Sequence, residues 1–440
     1  MYTFERSDTF YLLMFFLVVI TAGTVAIKIP GAWAGIVRLN WTDALFTVTS
    51  TVCVTGFTVV DTADFSRFGQ MILLFLMQIG GLGIISFGSL LLMIPGTGAS
   101  VHRLGSIKGF YLDGIEYRPS AIIGSILLWT LTIETAGALL LSGLFFFNGI
   151  EDWLFMGIFH SISAFCQVGL SPFSGGISGF AANIPVLAVI LILAALGGIG
   201  FVVLQEVMLL FRKKIRRLSY HSTIVLMMMG IITIVSTLFF FFYERNRLYH
   251  TMNTPAAFFN ALFQSLNTRS NGFEIIPQQL LSKPSKLLSC MLMFIGGAPG
   301  SFGGGIRVTP VFVICVIMIR HPDRFGDISI FRHRLTAQTL NRGIVYVLKA
   351  LVLCAMCVIA LTISEGFYGR SSGAILFEGI SAFGNVGLSM GLTKELSTAG
   401  KWIIIIAMFA GRVGLFALSF PAPRRKNYAI TYPQGSLLLE

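Results

Sequence analysis

Four glycines, Gly56, Gly169, Gly272 and Gly387, each close a short stretch of small and polar residues in a chain that is otherwise strongly apolar. The stretches align without a gap. FTVTSTVCVTGF from Phe46 to Phe57 matches FHSISAFCQVGL from Phe159 to Leu170, and both match FEGISAFGNVGL from Phe377 to Leu388. The third, LFQSLNTRSNGF from Leu262 to Phe273, diverges but keeps its glycine in register. Glycine suits a backbone that must take angles side chains forbid. The chemistry this permits is ion coordination by main-chain carbonyls. The candidate groups are those of Val54, Thr55, Gly56 and Phe57; Gln167, Val168, Gly169 and Leu170; Ser270, Asn271, Gly272 and Phe273; and Asn385, Val386, Gly387 and Leu388. A ring of such carbonyls replaces the water shell of a dehydrated ion. A helix entering each loop directs its partially negative C-terminal end at the same point, which favours a cation. The loop chemistry extends to a monovalent cation and no further.

A second landmark follows each glycine. Gly80-Gly81, Gly197-Gly198, Gly296-Gly297 and Gly411-Arg412 begin 24, 28, 24 and 24 residues after the first. Two landmarks repeated four times at near-constant offset define an internal repeat. Small residues of this kind usually mark close helix packing in membranes, and that is the expectation here. Two departures from regularity point to function. The segment from Gly296 to Gly305 holds Gly296, Gly297, Gly300, Gly303, Gly304 and Gly305 together with Pro299, a composition through which a helix does not run. A broken helix at membrane depth belongs beside water, so this segment is a candidate intramembrane gate. Arg412 stands where the other repeats carry a small residue, and a charge inside a span is a functional hypothesis by default. It is expected to bond the carbonyls of the glycine-rich segment or to repel cations beside it.

These loops need elements to hold them. The 440 residues are 55% hydrophobic and 11% charged, far below the charge of a soluble domain, so a polytopic membrane protein is the class that fits. Eight apolar segments fall near residues 10–30, 70–94, 121–147, 185–211, 222–243, 286–319, 343–363 and 401–420, each long enough to cross. The first reads as a retained helix, not a signal peptide. The short stretches lie between the members of each pair and are re-entrant. The expected fold is therefore an all-α polytopic membrane protein of four covalently linked membrane–pore–membrane repeats around one central pore. The repeats would occupy 1–98, 99–217, 218–325 and 326–420, with a cytoplasmic tail at 421–440.

The net charge of +12 gathers in clusters: Arg103, Lys108 and Arg118; Arg212 to Arg217; Arg320, Arg324, Arg332, Arg334 and Arg342; and Arg424, Arg425 and Lys426. Acidic residues fill the intervening connections. By the positive-inside rule the basic loops and both termini face the cytoplasm, against membrane lipid and not nucleic acid. The six cysteines, Cys354 and Cys357 included, lie in or beside apolar runs without metal-ligand spacing. Trp33, Trp41, Trp153 and Trp402 flank spans as interfacial anchors. Arg269 reads as a brace behind the third loop. No zinc, nucleophile-elbow or Walker motif is present, and the scattered histidines, His160 among them, form no ligand cluster, so an enzyme is not expected. The rival reading is an alternating-access sodium/potassium symporter, with Glu134 and Glu206 as its candidate membrane-depth acids.

At these residues the sequence resembles the Trk/Ktr/HKT superfamily of potassium transporters over nearly its whole length. The first short segment begins by residue 42, where Trk subunits place two further helices ahead of it, so the resemblance is strongest to the Ktr membrane subunits. It implies potassium as substrate and sodium as a possible activator, with no covalently bound cofactor. It further implies a plasma-membrane homodimer with one pore per subunit, on a cytoplasmic nucleotide-binding regulatory ring of the KtrA type.

Overall fold

The computed structural model describes residues 8–35, 38–90, 119–323, 326–331 and 333–414. The basic residues Arg103, Lys108, Arg118, Arg324, Arg332, Arg424, Arg425 and Lys426, the tail at 421–440 and the ends of the second and eighth segments lie outside them.

Each repeat begins with a long apolar helix: α1 (Asp8–Ile27), α4 (Pro119–Phe147), α8 (Tyr220–Glu244) and α12 (Ala337–Gly366). These four are long and apolar enough to cross a membrane alone. Each is followed by a short buried helix: α2 (Trp41–Val52), α5 (Trp153–Phe165), α9 (Thr254–Ser270) and α13 (Ser372–Gly384). The closing helices differ. They are α3 (Arg67–Leu90), the pair α6 (Ile184–Ile199) and α7 (Phe201–Phe211), the pair α10 (Lys283–Phe294) and α11 (Val308–Ile319), and α14 (Thr398–Phe409) with a π-helical turn at Ala410–Gly414. A hairpin of β1 (Ile328–Ile330) and β2 (His333–Leu335) joins the third repeat to the fourth.

The closing helices share one frame that their sequences hide. Ser66, Asn183, Ser282 and Ser397 accept a backbone N–H at the start of α3, α6, α10 and α14, and each stands 14 residues before its landmark glycine. Such caps satisfy helix-start donors that have no intrahelical partner. Each cap also reaches back to the end of its repeat's first helix. Ser66 donates to the Gly31 carbonyl just beyond α1, and Asn183 donates to Asn148 Oδ1 at 2.9 Å. The backbone amide of Ser282 donates to Glu244 at 2.9 Å, and the hydroxyl of Ser397 to Glu365 at 2.6 Å. The four extra residues of the second repeat therefore lie in the loop ahead of Asn183, and the helix behind the loop keeps its register.

Packing between repeats is cyclic. The closing helix of each repeat lies on the short helix of the next: α3 on α5, α6 on α9, α10 on α13, and α14 on α2. The chain's last described helix thus closes on its first short one. Phe46, Phe159 and Phe377, ten residues before their loop glycines, are buried at equivalent places in the core.

Two expected spans are not continuous. The segment at 286–319 breaks between Phe294 and Val308, as its glycines require. The segment at 185–211 also breaks, bending 106° at Gly200, where one span was expected. The cause is tertiary: a loop from the third repeat occupies the bend. Trp33 departs from its expected role as well. It packs edge-on against Phe65 at 4.8 Å inside the first connection, whereas Trp41, Trp153 and Trp402 are exposed at helix ends.

Candidate functional site

The four loops have one backbone design with one exception. Gly56, Gly169, Gly272 and Gly387 have φ of 88°, 79°, 67° and 85°. In the first, second and fourth repeats the residue two before the glycine is also left-handed: Val54 at 59°, Gln167 at 60° and Asn385 at 52°. There the intervening residue donates its amide five residues back, Thr55 to Ser50, Val168 to Ser163 and Val386 to Ser381, at 2.7–3.0 Å. In the third, Ser270 is still helical and Asn271 donates to Asn267 at 3.1 Å. Two left-handed residues out of three turn successive carbonyls to one side of the chain.

Those carbonyls meet. A methyl group added to Gly56 would overlap the Val168 carbonyl oxygen, and one on Gly169 that of Asn271. One on Gly272 would overlap that of Val386, and one on Gly387 that of Thr55. The contacts run from repeat one to two, three, four and back to one. The position beside Gly272 also lies 3.3 Å from the Val168 oxygen and 3.4 Å from that of Thr55, so the ring closes around a common axis. Val54, Thr55, Gln167, Val168, Ser270, Asn271, Asn385 and Val386 are all buried at this ring, with Phe57, Leu170, Phe273 and Leu388 packed behind it. Every expected loop residue is therefore brought together.

The landmark glycines do pack, yet not between long helices. Gly80, Gly197 and Gly411 abut the carbonyls of Val52, Phe165 and Phe383, each four residues before its own loop glycine. Gly296 breaks the rule, lying against the Gly304 carbonyl of its own segment. That segment is a pinched loop. Gly296 donates to Ile306 at 2.8 Å, Ile306 to Phe294 at 3.2 Å and Val308 to Gly297 at 3.2 Å. It docks on the bend in the second repeat through three main-chain bonds: Ala298 to Gly198 at 3.0 Å, Phe302 to Gly197 at 3.2 Å, and Phe201 to Gly300 at 3.2 Å. The bend at Gly200, with φ of 90°, exposes the carbonyls the loop takes up.

Pro299 and Gly300 form the half-exposed tip of this loop, while Gly303 and Gly304 press on the underside of the ring. Two arginines hold it. Arg412, 2% exposed, donates to the Phe302 carbonyl and to that of Gly80 at 3.2 Å. Arg307, which sequence reasoning missed, donates to Ala298 and to Ser301 Oγ, both at 3.1 Å. The bond expected from Arg412 to a carbonyl of the glycine-rich segment is present.

The chain matches the TrkH family, described as a cation transport protein, over residues 6–422. The chain belongs to this family. It is 32% identical to the Ktr system potassium uptake protein D of Bacillus subtilis, over 97% of this chain and 96% of that one. It is likewise 32% identical to the Ktr system potassium uptake protein B of Vibrio alginolyticus, over 97% and 94%. Identity to the potassium/sodium uptake protein NtpJ of Enterococcus hirae is 30%, over 91% and 90%. The crystal structure of the potassium transporter TrkH from Vibrio parahaemolyticus shares the fold, with a TM-score of 0.77 at 19% identity over 94% of this chain and 84% of that one. The chain is a multi-pass membrane transporter, not an enzyme.

The remaining buried polar groups brace the loops and the helices behind them. Arg269 donates to Thr233 Oγ1 at 3.2 Å and to the Met229 carbonyl at 3.4 Å on α8, so it braces the third loop from behind. His160 and Glu378 occupy the same place, nine residues before their glycines, and each holds the serine two residues after it. His160 Nδ1 donates to Met156, so its Nε2 accepts from Ser171 at 2.8 Å. Glu378 accepts from Ser389 and from the Thr393 amide at 3.1 Å. Glu206 accepts the Ser219 amide at 2.9 Å and orders the turn before α8. Glu134 is buried against Gln78 and Cys166 between α3, α4 and α5. Among the described residues no group of three or more His, Cys, Asp or Glu side chains could hold a metal ion.

Proposed function

We propose that this chain carries potassium into the cell through one pore, with the four loops as its selectivity filter. The observation that supports the reading best is the closed cycle of the Thr55, Val168, Asn271 and Val386 carbonyls against the four glycines. Carbonyl dipoles around an axis, with four helix C-terminal ends aimed at it, favour a dehydrated cation. Potassium is suggested by the names of the relatives. The loop from Gly296 to Gly305 lies beneath the filter as its gate, closed by Arg412.

The rest of the reading follows from the resemblance to Ktr membrane subunits and from the distribution of basic residues. The chain works within a multi-component system as a plasma-membrane homodimer with both termini in the cytoplasm. A nucleotide-binding regulatory ring sets the gate, and sodium acts as an activator. An alternating-access symporter is less favoured, because Glu206 serves a turn and Glu134 is taken up by Gln78 and Cys166 between helices.

The test is flux in liposomes, with and without the cytoplasmic regulatory subunit, for the wild type and Gly272→Asp. The expected result is potassium-selective flux without fixed ion stoichiometry, lost or unselective in the variant. Selective flux untouched by the substitution would overturn the filter and revive the symporter.

A further inference from the structure

The residue two before each loop glycine is Val54, Gln167, Ser270 or Asn385, so the side-chain contacts that hold the ring differ from repeat to repeat. We propose that Gln167 and Asn385 are positioning residues for cation selectivity, acting as paired amide staples in alternate repeats. This rests on that filter reading.

Both residues stand two before the loop glycine, both are left-handed, and both are almost wholly buried. Each makes the same two kinds of contact. Gln167 Nε2 donates to the Ala194 carbonyl at 2.8 Å, and Asn385 Nδ2 donates to the Met408 carbonyl at 2.9 Å. Ala194 and Met408 each lie three residues before their landmark glycine, so both staples fasten the loop to one place on its own closing helix. The second contact reaches the following repeat. Gln167 Oε1 accepts from the Ser270 hydroxyl, and Asn385 Nδ2 donates to Thr55 Oγ1 at 2.9 Å. Val54 and Ser270, at the same position in the other two repeats, carry no amide.

The staples therefore join the second repeat to the third and the fourth to the first. They leave the filter held with twofold, not fourfold, regularity. A ring of carbonyls discriminates between cations only as far as its size and dipole number are held against relaxation around a smaller ion. Buried hydrogen bonds to the closing helix and to the following repeat supply that resistance where the loops have no further covalent tie. The staples also face the loop below. A methyl group on Gly303 would lie 2.8 Å from Gln167 Oε1, and one on Gly304 2.6 Å from Asn385 Oδ1, which has no partner among the described residues.

The test is competition binding of radioactive rubidium to the purified full-length protein, displaced by potassium or by sodium. Rubidium binding at equilibrium does not require an open gate. Glycine keeps the left-handed backbone at no steric cost, so Asn385→Gly and Gln167→Gly remove each staple and leave the loop conformation accessible. Each variant loses two buried hydrogen bonds and is expected to lower the potassium-over-sodium ratio by at least about fivefold, and the double variant by more. Site number should stay at the wild-type value, while the unfolding midpoint falls as the buried partners of each amide are left unpaired. Should a glycine variant not fold, Ser270→Ala and Thr55→Val cut the far ends of the same staples and are expected to act alike. An unchanged ratio in the variants while Gly272→Asp abolishes selective binding would overturn the staples and leave the filter standing. No preference for potassium in the wild type, or preference surviving Gly272→Asp, would overturn the filter itself.

Discussion

Lys401 on α14 donates to Asp43 Oδ1 on α2 at 2.6 Å, an ion pair whose side chains are only 17% and 13% exposed and which joins the fourth repeat to the first. Asp43 lies in the first turn of its helix, where a negative charge is favoured. Lys401 lies near the start of α14, where a positive charge is not. The pair offsets that cost at the one junction between repeats that no connecting segment spans.

Removing one partner leaves the other charge largely desolvated. Lys401→Met is expected to lower stability by about 1–3 kcal/mol, short of the full cost of breaking a fully buried pair. The measurement is the unfolding midpoint in detergent. The exchanged pair Asp43→Lys with Lys401→Asp should recover at least half the loss, because it restores opposite charges at the same separation. A wild-type midpoint in Lys401→Met would show that the closing junction does not depend on this contact.

Why some of this was legible in the sequence and some was not is a matter of what each position demands. A left-handed residue whose Cβ would overlap a neighbouring carbonyl oxygen admits only glycine, so Gly56, Gly169, Gly272 and Gly387 announced themselves, whereas the left-handed Val54, Gln167 and Asn385 have room for side chains and did not. The cap of each closing helix can be Ser or Asn and can link back to a carbonyl, an amide or a carboxylate. The frame of Ser66, Asn183, Ser282 and Ser397 was thus present at constant spacing yet lacked a constant sequence. The bend at Gly200 left still less trace. Its flanks are apolar and helix-forming, and the groups that stabilise the break come from residues about a hundred positions later. Arg307 lies inside the segment at 286–319, just beyond the glycine-rich run, and carried the same signal of a charge within a span that singled out Arg412. The staples were hidden because only two repeats carry them.

The Gly200 bend and the glycine-rich loop behave as one unit, since each supplies the backbone partners the other lacks. Gly200→Ala puts a side chain into a conformation that disfavours it by about 1–3 kcal/mol and places a methyl carbon 2.6 Å from the Pro299 carbonyl oxygen. The loop is expected to leave its seat more often. A cysteine at the loop tip, Pro299→Cys, reports this through its modification rate by a membrane-impermeant thiol reagent. The native cysteines are buried or half-buried in the fold. The expected change is about a tenfold faster reaction in the Gly200→Ala background, the factor that a shift near 1.4 kcal/mol produces. An equal rate in both backgrounds would mean that the loop holds its place without the bend.

Arg412 and Arg307 grip the loop from two sides, and their effects should differ in a diagnostic way. Arg412 spans two elements, with one nitrogen on the loop at Phe302 and the other on α3 at Gly80. The hydrogen bonds of Arg307 go to the loop's own segment, at Ala298 and Ser301. Loss of Arg412 therefore unties the loop from its surroundings, whereas loss of Arg307 loosens the loop internally. A charge-assisted hydrogen bond contributes about 1.5–3 kcal/mol, so Arg412→Gln is expected to raise flux without the regulatory subunit by about tenfold or more. Lys at this position presents a point charge in place of a fork and reaches one carbonyl at a time, so Arg412→Lys should fall between the two. Arg307→Gln should raise flux less, and the double variant should exceed neither single effect by much, because both contacts restrain one loop and such neighbours are not additive. A fall in flux on Arg412→Gln, with folding intact, would instead make the guanidinium a support for the open path and remove it from the gate.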